Sequence, residues 1–251
     1  MSRSSVGRPV LLRMRIIVGI TIACGATAAR ADRRSFVRGY EYATQPKGNL
    51  ELELWNEIVP PRGDLSAALI TNRIELEYGL TDHWDVALYH VFTQGGADHA
   101  PLRFDSWRLE TRYRLAERGE WPVDVMLYLE GERSTELGEP FELEEKVILA
   151  RDLGPFGLVL NLVGEQKLFR GAERTWEVDL GARYEVVPQL RVAAEVWTIQ
   201  AVTAAATKGA WYAGPSISLA GERLWLQAGL GVGLGDSASQ FQFRSVLGFN
   251  L

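Results

Sequence analysis

The chain has 251 residues and a formal net charge of −5, enough length for one large β domain or two average ones. Arg3, Arg8, Arg13, Arg15 and Arg30 precede the first acidic residue, Asp32, so the chain beyond them carries −5 − 5 = −10. That is a poor surface for nucleic acid, which rewards clustered Lys and Arg, so no nucleic-acid partner is expected.

In chain order, residues 1–31 read as a cleaved secretory signal peptide. The basic "MSRSSVGRPVLLRMR" precedes the apolar "IIVGITIA", and Ala29-Arg30-Ala31 offers an A-x-A cleavage site. The competing reading is an amphipathic N-terminal helix of a cytosolic protein. The apolar core is too short to span a bilayer, which takes about 20 residues. The only cysteine, Cys24, lies in this segment, so the mature chain would have no disulfide and no thiolate chemistry. "TIAC" faintly resembles a lipidation box, but Thr21 stands where such a box favours Leu. Residues 32–47 then form an N-terminal periplasmic lead-in, and 48–251 a β-barrel.

After Lys47, side chains alternate with the period of a β-strand almost to the end. Twelve strands are expected at 49–58, 66–78, 84–92, 104–115, 122–132, 140–152, 157–167, 175–187, 190–198, 210–219, 224–233 and 239–251. Tight connections ("GLTDH", "AERGEW", "LGPFG", "VPQ", "AGER") take turns with mostly longer ones such as "VPPRGDL", "TQGGADHAP" and "AVTAAATKG". Short turns on one side and longer loops on the other are the asymmetry of an outer-membrane barrel.

Each strand splits into two faces. One carries Leu50, Leu52 and Leu54, then Ile74 and Leu76, Val86 and Leu88, and so on to Phe241, Phe243, Leu247 and Phe249. The other carries Glu51 and Glu53, then Arg73, Glu75 and Glu77, Arg108, Glu110 and Arg112, Arg183 and Arg244. In water the apolar face would need a covering layer. The sequence offers no helix to supply one, and no later apolar run long enough for a membrane-spanning helix. A closed transmembrane up-and-down antiparallel barrel of about twelve strands, with lipid outside and a polar, charged lumen, resolves this.

Trp84, Trp121, Phe156 and Trp225 fall beside short turns. Trp55, Phe92, Phe104, Phe141, Trp176 and Trp211 fall near longer loops, and two aromatic belts are expected from them. The chain ends "FQFRSVLGFNL". Its last residues, Phe249-Asn250-Leu251, resemble the strand read by the barrel-assembly machinery, with Leu251 where a terminal aromatic is usual. Outer-membrane lipid and that machinery are the expected partners, with small solutes as cargo.

Two segments carry a family resemblance: "QPKGNLELELW", Gln45 to Trp55, and "RIELEYGLTDHWDVALY", Arg73 to Tyr89. Together they resemble an uncharacterised family of Gram-negative outer-membrane barrels, a domain of unknown function. The resemblance implies a barrel and an outer-membrane address, and it brings no site residues.

No catalytic constellation is legible. A His-x-Ser phospholipase pattern fails, since Asp85, Phe92 and Pro101 follow His83, His90 and His99 at that spacing. His99 with Asp98 or Asp105 is the nearest approach to a nucleophile–base set or a metal site, and it lacks a third group. No cofactor, metal or enzymatic activity is expected. Glu75, Glu77, Arg108, Glu110, Arg112 and Arg183 are expected to line the lumen. The lumen either conducts small solutes, with a weak cation preference from its acidic excess, or is plugged by ion pairs in a barrel serving envelope integrity. A third reading is a lipid-modifying enzyme with an unrecognised site.

Overall fold

The structure is a computed structural model that describes residues 34–169, 174–202 and 207–251. The expected signal peptide, 1–31, lies outside the described residues. Twelve antiparallel strands follow: β1 Leu50–Val59, β2 Leu69–Thr81, β3 Trp84–Gly95, β4 Ala100–Arg114, β5 Asp124–Ser134 and β6 Glu142–Leu153. Then come β7 Phe156–Lys167, β8 Arg174–Val187, β9 Leu190–Val202, β10 Thr207–Ala220, β11 Leu224–Leu234 and β12 Phe241–Asn250. Each pairs with its sequence neighbours, and β12 pairs with β1 through Leu52↔Phe249 and Glu57↔Arg244, so the sheet closes. Closure leaves no strand edge, which is what lets a sheet sit in hydrocarbon.

Alternation along each strand decides the two faces. Leu54, Ile74, Leu76, Leu88, Leu109, Leu129, Leu158, Leu162 and Leu180 are exposed on the outside. Glu51, Glu53, Glu75, Glu77, Glu110, Arg112, Asp124 and Asp179 are buried on the inside. This is an inside-out arrangement for water and the natural one for lipid. No helix among the described residues is long and apolar enough to cross a membrane. Leu180, 53 % exposed in the middle of β8, tests the assignment. Leu180→Arg should cost about 2–4 kcal/mol if it faces the bilayer midplane. Urea unfolding of vesicle-embedded protein would measure the loss.

The belts need a correction. Trp84, Trp121 and Phe156 point outward at the short-turn end, and Phe104, Phe141, Trp176 and Trp211 do so at the loop end. Trp55 and Trp225 are buried in the lumen instead. Their place in the alternation requires it: Trp55 follows Glu51 and Glu53 at two-residue steps, and Trp225 lies between outward Leu224 and Leu226. Each indole N–H finds a carboxylate, Trp55 Nε1 on Glu75 at 2.8 Å and Trp225 Nε1 on Glu51 at 3.1 Å.

The connections also differ from the expected lengths. β3 and β4 extend until only residues 96–99 join them, with Gly95 and Gly96 at φ 82° and 80° and His99 at φ 51°. The supposedly tight "AERGEW" turn spans 115–123 and is held by Asp124, whose carboxylate accepts the Gly119 N–H at 2.7 Å. In the first outer loop, Asp64 caps a short 3-10 turn, Leu65–Ala67. Hydrogen bonds from Ser66 hold its carboxyl below the ordinary carboxylate range.

Residues 32–47 were expected to be a periplasmic lead-in. From Arg34 onward they run inside the barrel, where Phe36, Val37, Tyr42 and Gln45 are buried. Charge explains the difference, because the inner wall presents carboxylates that this segment's arginines neutralise.

Candidate functional site

The lumen is built from opposed carboxylates. On the inner face of β1 and β2, Glu53 lies directly across from Glu75, and Glu51 from Glu77. Like charges placed opposite each other destabilise a sheet, and burial worsens the cost. Arg34 answers the first pair, with Nε 3.2 Å from Glu53 and Nη2 3.8 Å from Glu75. Its guanidinium lies 4.4 Å from the Trp55 ring and 4.5 Å from the Tyr40 ring, which fix its plane. Arg112, from β4, answers the second. It pairs with Glu77, with Asp85 at 2.8 Å and with Glu110 at 3.3 Å. Glu110 also accepts the Tyr89 hydroxyl.

The segment from Arg34 to Gln45 is thus a strap across the lumen, and the wall satisfies its backbone. The Glu195 carboxylate of β9 accepts three successive N–H groups, from Val37, Arg38 at 2.9 Å and Gly39 at 3.1 Å. Asn161 of β7 accepts the Tyr40 N–H at 2.6 Å and donates to the Tyr40 carbonyl at 3.1 Å. Ser216 of β10 donates to the Ser35 carbonyl at 2.6 Å, and Asp85 of β3 accepts the Gln45 N–H at 2.8 Å. The Tyr42 hydroxyl donates to the Ala116 carbonyl at 2.5 Å. Arg38 makes a two-pronged pair with Glu177, Nη2 at 2.6 Å. Charge-assisted bonds to carboxylates are among the stronger ones available.

Glycine makes the room. A Cβ on Gly181 would land 2.6 Å from the Phe36 ring, and the wall positions facing Val37 and Trp197 are Gly229 and Gly231. Around the strap, Met126, Ile148 and Trp197 are fully buried, and Tyr40 packs edge-on against Tyr128 at 5.2 Å. Strap and ion pairs fill the short-turn half of the lumen.

Toward the loop end lies a polar cavity of about 130 Å³ floored by Arg38 and Tyr40 of the strap. Its walls include Arg73, Arg108, Glu130, Glu144, Lys146, Glu165, Glu177 and Arg244. A smaller adjoining pocket adds Glu132 and Glu142. Lys146 sits 2.8 Å from Glu144 and about equally far from the Tyr40 and Tyr128 rings, at 4.0 and 4.1 Å.

All six residues singled out in the sequence lie on the inner face, and they fall into three groups. Glu75, Glu77, Glu110 and Arg112 belong to the closed network beside the strap. Arg108 stands at the cavity, 2.9 Å from Glu130 and 2.8 Å from Glu132. Arg183 lies toward the short-turn end, pairing with Glu41 at 2.9 Å and Asp152 at 2.7 Å. Of the two β4 arginines, Arg112 joins Glu77 and Glu110, whereas Arg108 turns to Glu130 and Glu132 of β5. Sequence reasoning missed Arg34, Arg38, Asn161 and Glu195. For the two arginines the available signal was a charged lead-in, with Asp32, Arg33, Arg34, Arg38, Glu41 and Lys47 in sixteen residues.

The histidines stand apart. His83 contacts Glu117 at 2.8 Å in an exposed turn, His90 faces outward beside Phe104, and His99 lies in the 96–99 loop. Among the described residues no group of three or more His, Cys, Asp or Glu is arranged to hold a metal ion.

Fold and lumen define the class: a closed twelve-stranded barrel of the Gram-negative outer-membrane type, strapped internally by its own N-terminal segment. No protein-family model and no curated protein matches the sequence. Solved structures do share the fold. An outer-membrane channel from Pseudomonas putida F1 superposes with a TM-score of 0.60 at 13 % identity, over 86 % of this chain and 100 % of that one. The NanC porin gives 0.60 at 11 % identity over 80 % and 100 %. The KdgM porin, solved with a disordered oligogalacturonate, gives 0.54 at 7 % over 80 % and 99 %.

Proposed function

We propose that this chain is a non-enzymatic outer-membrane channel for small solutes with a weak cation preference, in which the strap governs passage. The observation that carries this reading is the charged cavity on the loop side of the strap, inside a closed barrel. A purely structural barrel has no need of an accessible polar chamber. Across the cavity and its adjoining pocket, six glutamates stand against five basic side chains, which supports the cation preference. That solved structures of the same fold are channels and porins supports the reading too.

The finer resemblance, to an uncharacterised family of outer-membrane barrels, rests on Gln45–Trp55 and Arg73–Tyr89. Export through a signal peptide at 1–31 and recognition of Phe249-Asn250-Leu251 by the barrel-assembly machinery complete the proposal. A second reading, a plugged barrel serving envelope integrity, draws support from the burial of the strap. Proteoliposome swelling separates the two. Vesicles holding the full-length protein should swell in small neutral solutes faster than empty ones, and their reversal potential should favour cations. No swelling above empty vesicles, with a strap-deleted chain equally silent, would leave the plugged barrel as the answer.

A further inference from the structure

The charges around the outer cavity are segregated. In the closed barrel β1 stands opposite β7. On the β12–β1–β2 wall, Arg244 and Arg73 share a single carboxylate, Glu57, at 3.1 and 2.9 Å. Two cations on one anion leave that wall positive. Both guanidinium groups flank the Trp55 ring, at 5.3 and 5.7 Å, which holds them in place. The Nε of each is buried with no acceptor among the described residues. Arg244 is itself 5 % exposed, so this is a costly donor to leave unused.

The facing wall is the reverse. Glu130, Glu132 and Glu144 are matched by Arg108 and Lys146. Glu142 and Glu165 face the same space. Lys167 stands across from Glu142 but pairs with Glu139, and among the described residues no salt bridge within 4 Å reaches Glu142 or Glu165. Glu165 lines both the cavity and the adjoining pocket, so the two unbalanced walls open on one volume.

We propose that this cavity binds a small zwitterion of the α-amino-acid class. Its carboxylate would face the guanidinium groups of Arg73 and Arg244, and its ammonium would face Glu142 and Glu165. A simple anion gains the arginines and is repelled by the glutamates. A simple cation meets the converse. Only a solute carrying both charges satisfies both walls, and about 130 Å³ holds one of that size. As cargo, this solute class rests on the channel reading. As a ligand of the cavity, it stands without it.

The test is titration of the full-length protein in detergent micelles by calorimetry, with L-alanine and with its single-charge analogues propionate and ethylammonium. Alanine should bind saturably and each analogue at least about tenfold more weakly. Arg244→Gln and Glu165→Gln should each weaken alanine at least about tenfold, a difference of about 1.4 kcal/mol. Should Arg244→Gln fail to fold, the less buried Glu165→Gln decides alone. Absence of saturable alanine binding, an analogue matching alanine, or a folded Glu165→Gln binding normally would each overturn the proposal. Swelling assays keep the two claims apart. Solute passage without alanine binding removes the zwitterion site and leaves the channel, whereas alanine binding without passage removes the channel and leaves the site.

Discussion

Deletion of residues 34–42 should turn a weakly conducting barrel into a strongly conducting one in planar bilayers. The strap carries Phe36, Val37 and Tyr40 across the short-turn half of the lumen, where they are buried against the wall. A twelve-stranded barrel lies between the side-chain-filled eight-stranded barrels and the open sixteen-stranded pores, so what fills its interior decides whether it conducts. Conductance should rise by about an order of magnitude or more on deletion. Selectivity should shift as well. The deletion removes Arg34 and Arg38 and leaves Glu53, Glu75, Glu177 and Glu195 facing water. Rings of carboxylates attract cations, so the reversal potential should move further toward cation selectivity.

A wedge checks that the effect belongs to the strap's seat. Gly181→Val would put side-chain atoms where the Phe36 ring now lies, with Cβ alone 2.6 Å from it. That variant should conduct more than the parent, whereas Ala182→Val, on the outward face one residue on, should not. A strap-deleted barrel that conducts no more than the parent would show that the obstruction lies elsewhere.

Arg112→Ala should be the most damaging single substitution in the wall. Arg112 is 1 % exposed and pairs with Glu77, Asp85 and Glu110 together. Removing one partner from a buried ionic cluster leaves uncompensated charge and costs about 3–5 kcal/mol. Loss of the heat-modifiable band on semi-native gels and a lower urea midpoint would report it. Arg112→Lys should recover only part, because an ammonium lacks the fork that spans several carboxylates. Adding Glu77→Gln to Arg112→Ala should restore some stability, since it removes one stranded charge from the same cluster. An Arg112→Ala barrel as stable as the parent would mean that water compensates these carboxylates.

The barrel was legible from Leu50 onward because strand alternation is local. Leu50, Leu52 and Leu54 against Glu51 and Glu53 already declare two solvents, and the structure puts them on opposite faces. The same rule placed Trp55 and Trp225 inside, although nearness to strand ends suggested belts. Parity along a strand outweighs distance from its end, since a residue cannot change face without a register shift.

The strap was not legible, and the reason is physical. "RSFVRGYEYATQP" has no period, because it forms no regular element. Its backbone is satisfied by side chains far along the chain, such as Glu195, which lies 156 residues beyond Gly39. Alternation records only which solvent each side chain meets, so it specified twelve strands, two faces and closure. Which carboxylate meets which arginine depends on strands stacked around a circle, and on a segment that returns into it. Only the closed tertiary structure brings Arg34 to Glu53 and Glu75, and sets Arg73 and Arg244 across a cavity from Glu142 and Glu165.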